Sequence, residues 1–255
     1  MNPQIVVGNW KMNGTKEKVH EIAQALITSY SSHLSHEAAR NKTQVIICPP
    51  FTLLPFLSDC LKGTPFLLGA QNCHEKLSGA HTGDISATML LEMGVSHVIL
   101  GHSERRQNHG ELDSVIRQKI ITATRAGLTP IVCIGETREQ HEESNNYYTD
   151  ILGWQMEGSL PNDFSGILAY EPIWAIGTGL TASVEQITET MCFLRKELIR
   201  QFGESGKTIR ILYGGSVTAE NVSTILSIPE ISGVLVGGQS LNADTFLPII
   251  AHLSP

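Results

Sequence analysis

Short apolar segments recur along the chain and alternate with longer segments whose apolar positions follow a helical period. The apolar segments are rich in Val, Ile and Leu, and most of them are continuous rather than alternating, which indicates strands buried on both faces, as in a parallel sheet. They lie at 4–10, 44–50, 66–71, 97–103, 130–136, 166–172, 209–215 and 233–238. The pattern therefore predicts eight buried strands.

The intervening segments carry helix signals. Residues 16–30 repeat apolar side chains at spacings of three and four, Asp113 is a candidate cap for a helix ending at Gly127, and Ser183 opens a helix closed by Gly203. Eight strands alternating with helices predict an α/β protein, a single (β/α)₈ barrel formed by residues 1–255 as one domain. A doubly wound open sheet is the alternative, but its early GxGxxG fingerprint is missing.

Composition narrows the class of protein. No apolar run reaches the length that spans a bilayer, and the N-terminus lacks the features of a signal peptide. Five dispersed cysteines indicate reduced thiols, so we expect a cytoplasmic protein that contacts no membrane. A net charge of -7 argues against nucleic-acid binding and means that an anionic ligand needs a local positive field.

Polar residues follow several of the predicted strands directly. In a barrel, functional groups come from the carboxyl ends of the strands and from the loops just after them. Asn9 and Lys11 follow the first strand, His102 the fourth, Glu136 the fifth and Glu171 the sixth. We therefore expect a site at this end, where Lys11 supplies the positive charge.

Glu171 follows five uncharged residues and precedes Pro172. Its apolar setting is expected to raise the pKa of the carboxyl and make it a better base near neutral pH. The glycine-closed segment at 174–179 is a candidate lid that excludes water.

His102 stands immediately before a predicted helix start, "SER". Amide hydrogens there can donate to one ring nitrogen, which predicts a neutral imidazole whose other N–H points outward. Arg105 and Arg106 are expected to form ion pairs on the helix surface.

The last two strands end in glycine pairs, at 213–216 and 236–238. Such loops either form tight turns or cradle a phosphate through backbone N–H groups. The remaining histidines lack metal-ligand spacing with any cysteine or acidic partner, which predicts no metal site.

Taken in order, the motifs resemble those of the triosephosphate isomerase family along nearly the whole chain. They are GNWKMNG (8–14), GAQN (69–72), GHSERR (101–106), CIGE (133–136), AYEPIWAIGTG (169–179), YGGSV (213–217) and VGG (236–238). The resemblance implies a base at Glu171, a neutral proton shuttle at His102 and charge stabilisation by Lys11, with Glu104 near Lys11. It implies that substrate is bound by Asn9, Lys11, Gly177, Ser216, Gly237 and Gly238.

The same resemblance implies the isomerisation of dihydroxyacetone phosphate and D-glyceraldehyde 3-phosphate in glycolysis and gluconeogenesis, without a cofactor. It also implies a homodimer that forms through the loop around Thr82. Two positions depart from the family pattern: Leu180 replaces a usual lysine after the lid, and Gln239 replaces a small residue. The alternatives are another phosphate-binding barrel enzyme, such as a sugar-phosphate epimerase or aldolase, and a binding barrel without activity.

Overall fold

A computed structural model describes residues 4–33, 43–143, 147–176 and 182–252. The predicted strands are all present in it, each shorter than its apolar run. They are β1 Gln4–Asn9, β2 Thr43–Cys48, β3 Leu67–Ala70, β4 Val95–Leu100, β5 Thr129–Ile134, β6 Ile167–Tyr170, β7 Arg210–Tyr213 and β8 Gly233–Val236.

Helices cover the outside of the sheet in the described ranges. They are α1 Lys16–His33, α2 Leu54–Leu61, α3 Ala87–Glu92, α4 Ser103–His109, α5 Asp113–Ala126, α6 Arg138–Glu142, α7 Tyr147–Ser159, α8 Val184–Phe202, α9 Val222–Leu226 and α10 Ala243–Ala251. Short 3₁₀ turns lie at Phe51–Leu53, Ile173–Ala175, Gly203–Lys207 and Gly238–Leu241. None of the helices within these ranges is both long and apolar enough to cross a bilayer.

The strands are parallel and follow chain order around a closed barrel, and β1 pairs with β8 to complete it. The predicted (β/α)₈ architecture is therefore confirmed, and the open sheet is excluded. Alternate residues of each strand face either the barrel interior or the helix layer. Ile5 and Val7 belong to the interior cluster, whereas Val6 packs under the helices. This two-sided burial explains why the strand segments are continuously apolar.

The helix boundaries follow the predicted caps in three of four cases, and Gly203 ends α8 as expected with a φ of 59°. Ser183 accepts a hydrogen bond from the Gln186 amide in a capping box at the start of α8, and Gly127 ends α5 with a φ of 106°. The prediction for Asp113 is wrong, because Leu112 occupies the cap position. The Asp113 carboxylate instead accepts hydrogen bonds from Arg106 and Ser159.

Candidate active site

The carboxyl ends of the strands surround a cavity of about 270 Å³. Its volume lies near the lower end of the range for ligand pockets, which suits a small ligand. The lining includes eight residues that the sequence singled out: Asn9, Lys11, His102, Glu171, Ser216, Gly237, Gly238 and Gln239. Gly177 and Leu180 lie outside the described residues.

Glu171 and His102 form a buried pair in this cavity. Nε2 of His102 lies 3.0 Å from Oε1 of Glu171, and both side chains are almost fully buried. The amide N–H of Ser103 donates to the other carboxylate oxygen at 3.2 Å. A carboxylate is thus held next to an imidazole at the end of a rigid strand.

Close backbone packing fixes the position of Glu171. Its amide N–H donates to the carbonyl of Ile134 at 2.8 Å, which extends the pairing of β5 with β6 by one residue. A Cβ at Gly135 would lie 1.9 Å from the Glu171 carbonyl oxygen, and one at Gly214 would lie 2.9 Å from its Cγ. Glycine at both positions therefore makes room for the glutamate.

His102 is itself the N-cap of α4, as the sequence predicted. Its Nδ1 accepts a hydrogen bond from the Glu104 amide at 3.2 Å. An imidazolium has no lone pair on Nδ1, so this contact favours the neutral tautomer that carries its proton on Nε2. That N–H then points at Glu171 and the cavity.

The two pKa values are coupled, and they differ from the sequence-based expectations. Burial raises the pKa of Glu171, but His102, the Ser103 amide and Lys11 together hold it below its ordinary value. Burial lowers the pKa of His102, but the carboxylate of Glu171 outweighs it, so this pKa lies above its ordinary value. The expected rise for Glu171 is wrong here: burial is the largest single influence on its pKa, but the combined effects of His102, the Ser103 amide and Lys11 outweigh it.

Removing the Glu171 carboxylate should reverse the shift at His102. In Glu171→Gln, burial and the Lys11 charge remain and lower the pKa of His102, and only the smaller effect of Glu104 still raises it. We expect the imidazole to titrate above about 6.5 in the unliganded wild type and below about 6.5 in the variant. ¹⁵N NMR of the ring between pH 4 and 9 measures both values. Equal values in the two proteins would contradict the assigned coupling.

Lys11 adopts a strained backbone conformation beside the pair. Its φ of 53° makes it the one non-glycine residue with positive φ in the described ranges. The side chain of Asn9 accepts from the Lys11 amide at 3.0 Å, and Gln71 donates to the Lys11 carbonyl at 2.8 Å. Such strain persists only where the surroundings enforce it, and it is concentrated at functional sites.

The charge of Lys11 dominates the positive field of the cavity. Among the described lining residues it is the one lysine or arginine, and its Nζ lies 2.7 Å from Oε1 of Glu104. The structure thus confirms that Glu104 lies near Lys11. In a chain of net charge -7, this is the local cation that an anionic ligand requires.

Residues of both glycine loops line the cavity. Gly237 approaches Lys11, since a Cβ there would lie 3.5 Å from Cε of the lysine. A Cβ added at Gly238 would have no described atom within 4 Å. Both glycines therefore present bare backbone to the cavity, as phosphate recognition needs.

Three sequence-based assignments need revision around this site. Arg106 forms the expected ion pair, with Asp113, but its side chain is largely buried, and its guanidinium also donates to the carbonyls of Gly101 and Cys133. Glu136 lies behind the cavity, where burial raises its pKa and Tyr170 and Trp174 donate to it. It therefore anchors the segment that follows Glu171.

The third revision concerns the histidines of the segment between β3 and α3. They were expected to lack an acidic partner, but the chain folds back so that His74, His81 and Asp84 lie together. Spacing along the sequence could not reveal this, because the contact depends on how the segment turns. Gln71 was likewise missed as a support of Lys11, although it lies in the quoted GAQN motif.

Comparisons with known proteins give one consistent result over nearly the whole chain. Residues 4–253 match the family described as triosephosphate isomerase. The chain is 55% identical over 251 residues to the triosephosphate isomerase of Gluconacetobacter diazotrophicus, covering 97% of each protein. It is 51% identical to that of Granulibacter bethesdensis, covering 96% of this chain and 97% of the relative. A crystal structure of triosephosphate isomerase from Bartonella henselae matches with a TM-score of 0.85 and 42% identity, covering 99% of each chain.

Proposed function

Because the chain belongs to the triosephosphate isomerase family, we propose that it interconverts dihydroxyacetone phosphate and D-glyceraldehyde 3-phosphate by proton transfer through an enediolate. The observation that carries this proposal is the Glu171–His102 pair, 3.0 Å apart in a cavity that also holds Lys11. Residues 1–255 would act as one catalytic domain in glycolysis and gluconeogenesis. The reaction moves protons and no net electrons, so the proposal includes no cofactor.

Glu171 is the proposed base. Its carboxylate would take a proton from the carbon beside the substrate carbonyl and return it to the neighbouring carbon. The lowered pKa keeps this group ionised at neutral pH. Because Oε1 contacts His102 in the unliganded protein, substrate must enter between them and separate the pair.

His102 is the proposed electrophile and proton shuttle. Its Nε2–H faces the cavity and can donate to the substrate oxygens, while the Glu104 amide keeps Nδ1 as an acceptor. Once substrate separates Glu171 from the ring, burial and Lys11 favour the neutral imidazole. A neutral ring can donate a proton to one oxygen and recover it from the other.

Lys11 and Asn9 are proposed to bind substrate. The ammonium of Lys11 would stabilise the negative charge that develops on the enediolate, because it is positioned before the reaction begins. Asn9 fixes the Lys11 backbone through its side-chain oxygen. The cation is therefore placed by the backbone rather than by a mobile side chain alone.

Ser216, Gly237 and Gly238 are proposed to hold the phosphate through their backbone amides, together with Gly177. Gly238→Ala tests this role. The added methyl group meets no described atom within 4 Å, so we expect an unchanged melting temperature. It would occupy the space where the phosphate approaches, so kcat/KM should fall by about tenfold.

Steady-state kinetics and thermal unfolding of Gly238→Ala measure the two effects separately. Gly153→Ala is the matched control, since Gly153 lies in α7, away from the cavity, and its Cβ would lie 3.8 Å from Phe193 in α8. If Gly238→Ala kept the wild-type kcat/KM, this loop would not be part of the phosphate site.

We propose that the chain acts in the cytoplasm as a homodimer that forms through the loop around Thr82, without membrane or nucleic-acid partners. Two exposed apolar side chains support an interface: Met12 beside the cavity is 96% exposed, and Leu77 in the Thr82 loop is 46% exposed. A partner that covered these two side chains would remove their apolar surface from water.

Sedimentation of the wild type should give twice the chain mass of 27.8 kDa. Met12→Asp should give monomers of lower activity, because a charge would be buried in the interface. Val184→Asp is the control, since Val184 is also exposed but lies at the start of α8. A fully active wild-type monomer at nanomolar concentration would contradict the dimer.

The activity itself is tested with the purified chain and D-glyceraldehyde 3-phosphate as substrate, with a coupled assay for dihydroxyacetone phosphate. Turnover without added cofactor is the expected result. Assays with sugar-phosphate epimerase and aldolase substrates under the same conditions should show none, and activity with those alone would favour the alternative class of barrel enzyme.

A further inference from the structure

We propose that His141 is a positioning residue for the isomerase reaction, because it joins the segment 171–176, which follows β6, to the start of α8. The inference rests on the proposed function, since it concerns the same cavity. Glu171 and Ile176 at the two ends of this segment line the cavity, whereas His141 does not. His141 would therefore act through the placement of this wall of the cavity and not on the substrate itself.

The local sequence brings His141 back beside the end of β5. Helix α6 starts with a capping box, in which Thr137 accepts a hydrogen bond from the Gln140 amide and the Gln140 side chain accepts one from the Thr137 amide. The His141 amide donates to the Thr137 carbonyl at 2.9 Å and completes the first turn. This turn carries His141 to Glu136, and its side chain is only 16% exposed there.

Hydrogen bonds at both nitrogens of the ring fix its tautomer. The side-chain oxygen of Gln186 accepts from the Ser183 amide at 2.9 Å, so the side-chain nitrogen of Gln186 is left to donate to Nε2 of His141 at 3.2 Å. Nε2 is therefore an acceptor, and the neutral ring carries its proton on Nδ1. That N–H donates to Oε1 of Glu136 at 3.0 Å. His141 thus links the end of β5 to the capping box of α8.

Trp174 packs against the same ring. The two ring centroids are 4.6 Å apart with planes 36° apart, and the Trp174 indole N–H donates to Oε1 of Glu136 at 2.9 Å. Tyr148 of α7 also contacts His141, with ring centroids 5.0 Å apart. Aromatic pairs at such distances add to the stabilisation that burial gives. The 3₁₀ turn at Ile173–Ala175 is therefore held through the Trp174 side chain as well as through its backbone.

Glu136 transmits the contact to the residues on both sides of Glu171. Its Oε1 accepts from the hydroxyl of Tyr170 at 2.9 Å, and its carbonyl accepts from the amide of Ile173 at 3.1 Å. Without His141, the fully buried Glu136 carboxylate would lose a donor, which is costly for a charged group. We expect Glu136 to shift towards other donors and to carry Tyr170 and the 3₁₀ turn with it.

His141→Leu removes both hydrogen bonds and keeps an apolar side chain against Trp174. A misplacement of about 1 Å can cost roughly 10²-fold, and a smaller shift is expected here, so kcat/KM should fall about tenfold. The values of kcat and KM should change together. His141→Asn places an N–H near the position of Nδ1 and should keep only the contact with Glu136. Its loss should be about threefold, the equivalent of one modest hydrogen bond.

His20→Leu is the matched control, since His20 is exposed on α1 and does not line the cavity. Its kcat/KM should stay within about twofold of wild type, as is usual for surface substitutions. Thermal unfolding of the three variants separates a loss of folded protein from a change in the folded enzyme.

The indole N–H resonance of Trp174 gives a readout that needs no activity. Because this N–H donates to Glu136, His141→Leu should shift its ¹H and ¹⁵N frequencies, and Trp174→Phe assigns the signal. The indole signal of the fully buried Trp10 should not move.

A wild type without isomerase activity would overturn the proposed function and this role together. In an active wild type, an unchanged kcat/KM in the folded His141 variants would overturn the role of His141 alone. An unshifted Trp174 resonance in His141→Leu, or a loss of activity that only matches the unfolded fraction, would also overturn that role alone.

Discussion

Glu171→Gln is expected to lower kcat by roughly 10²–10⁴-fold, the range that a positioned general base contributes. The amide keeps the size of the side chain but cannot accept the substrate proton. The melting temperature should change little by comparison, because the amide can still accept the hydrogen bond that the Ser103 N–H donates to the side chain.

Glu171→Asp keeps the negative charge of the side chain and changes only its position. The carboxylate remains but is drawn back by about 1 Å, and a misplacement of that size can lower the rate by roughly 10²-fold. Glu204→Asp is the matched control, since Glu204 pairs with Lys207 at the surface, and its kcat should stay within twofold of wild type. A Glu171→Asp enzyme within a few-fold of wild type would mean that another group is the base.

Lys11→Met is the second change with a large expected effect. Methionine retains most of the side-chain volume but removes the only lysine or arginine among the described residues of the cavity lining. Loss of one preorganised electrostatic group costs about 10²–10³-fold in kcat. KM should rise as well, because the cavity would no longer offset a net charge of -7 when it binds a phosphate.

A second variant separates the effect of the charge in the cavity from the effect of the net charge of the protein. Lys18→Met makes the same change in net charge at an exposed position where Lys18 pairs with Glu21. Its kinetics should match those of wild type at equal ionic strength. If Lys18→Met and Lys11→Met lost activity equally, the effect would come from overall charge and not from the site.

The barrel could be predicted from sequence because its signal is local and repeated. Each strand is buried on both faces, so Val6 and Val7 are both apolar although they face different layers. His102 and Glu171 follow strand ends directly, and the fold brings such positions to one edge. Once the strands were identified, His102 and Glu171 could therefore be expected to lie close together.

Features that depend on tertiary contacts could not be predicted in the same way. Asp113 looked like a helix cap, but Arg106 and Ser159 engage its carboxylate across the fold. The pKa of Glu171 depends on its 3.0 Å contact with His102, which no pattern along the chain encodes. The strained backbone of Lys11 likewise became visible only through its φ angle.

The central claim is that this chain transfers a carbon-bound proton through Glu171. The most direct test is to convert D-glyceraldehyde 3-phosphate in deuterium oxide and to locate deuterium in the products by NMR. The proton that Glu171 takes from the substrate can exchange with solvent deuterium before it is returned. We therefore expect the dihydroxyacetone phosphate formed by the wild type to carry deuterium on carbon. Glu171→Gln should lose both turnover and labelling. Rapid turnover with no deuterium on carbon in product or recovered substrate, or unchanged labelling by Glu171→Gln, would contradict the account.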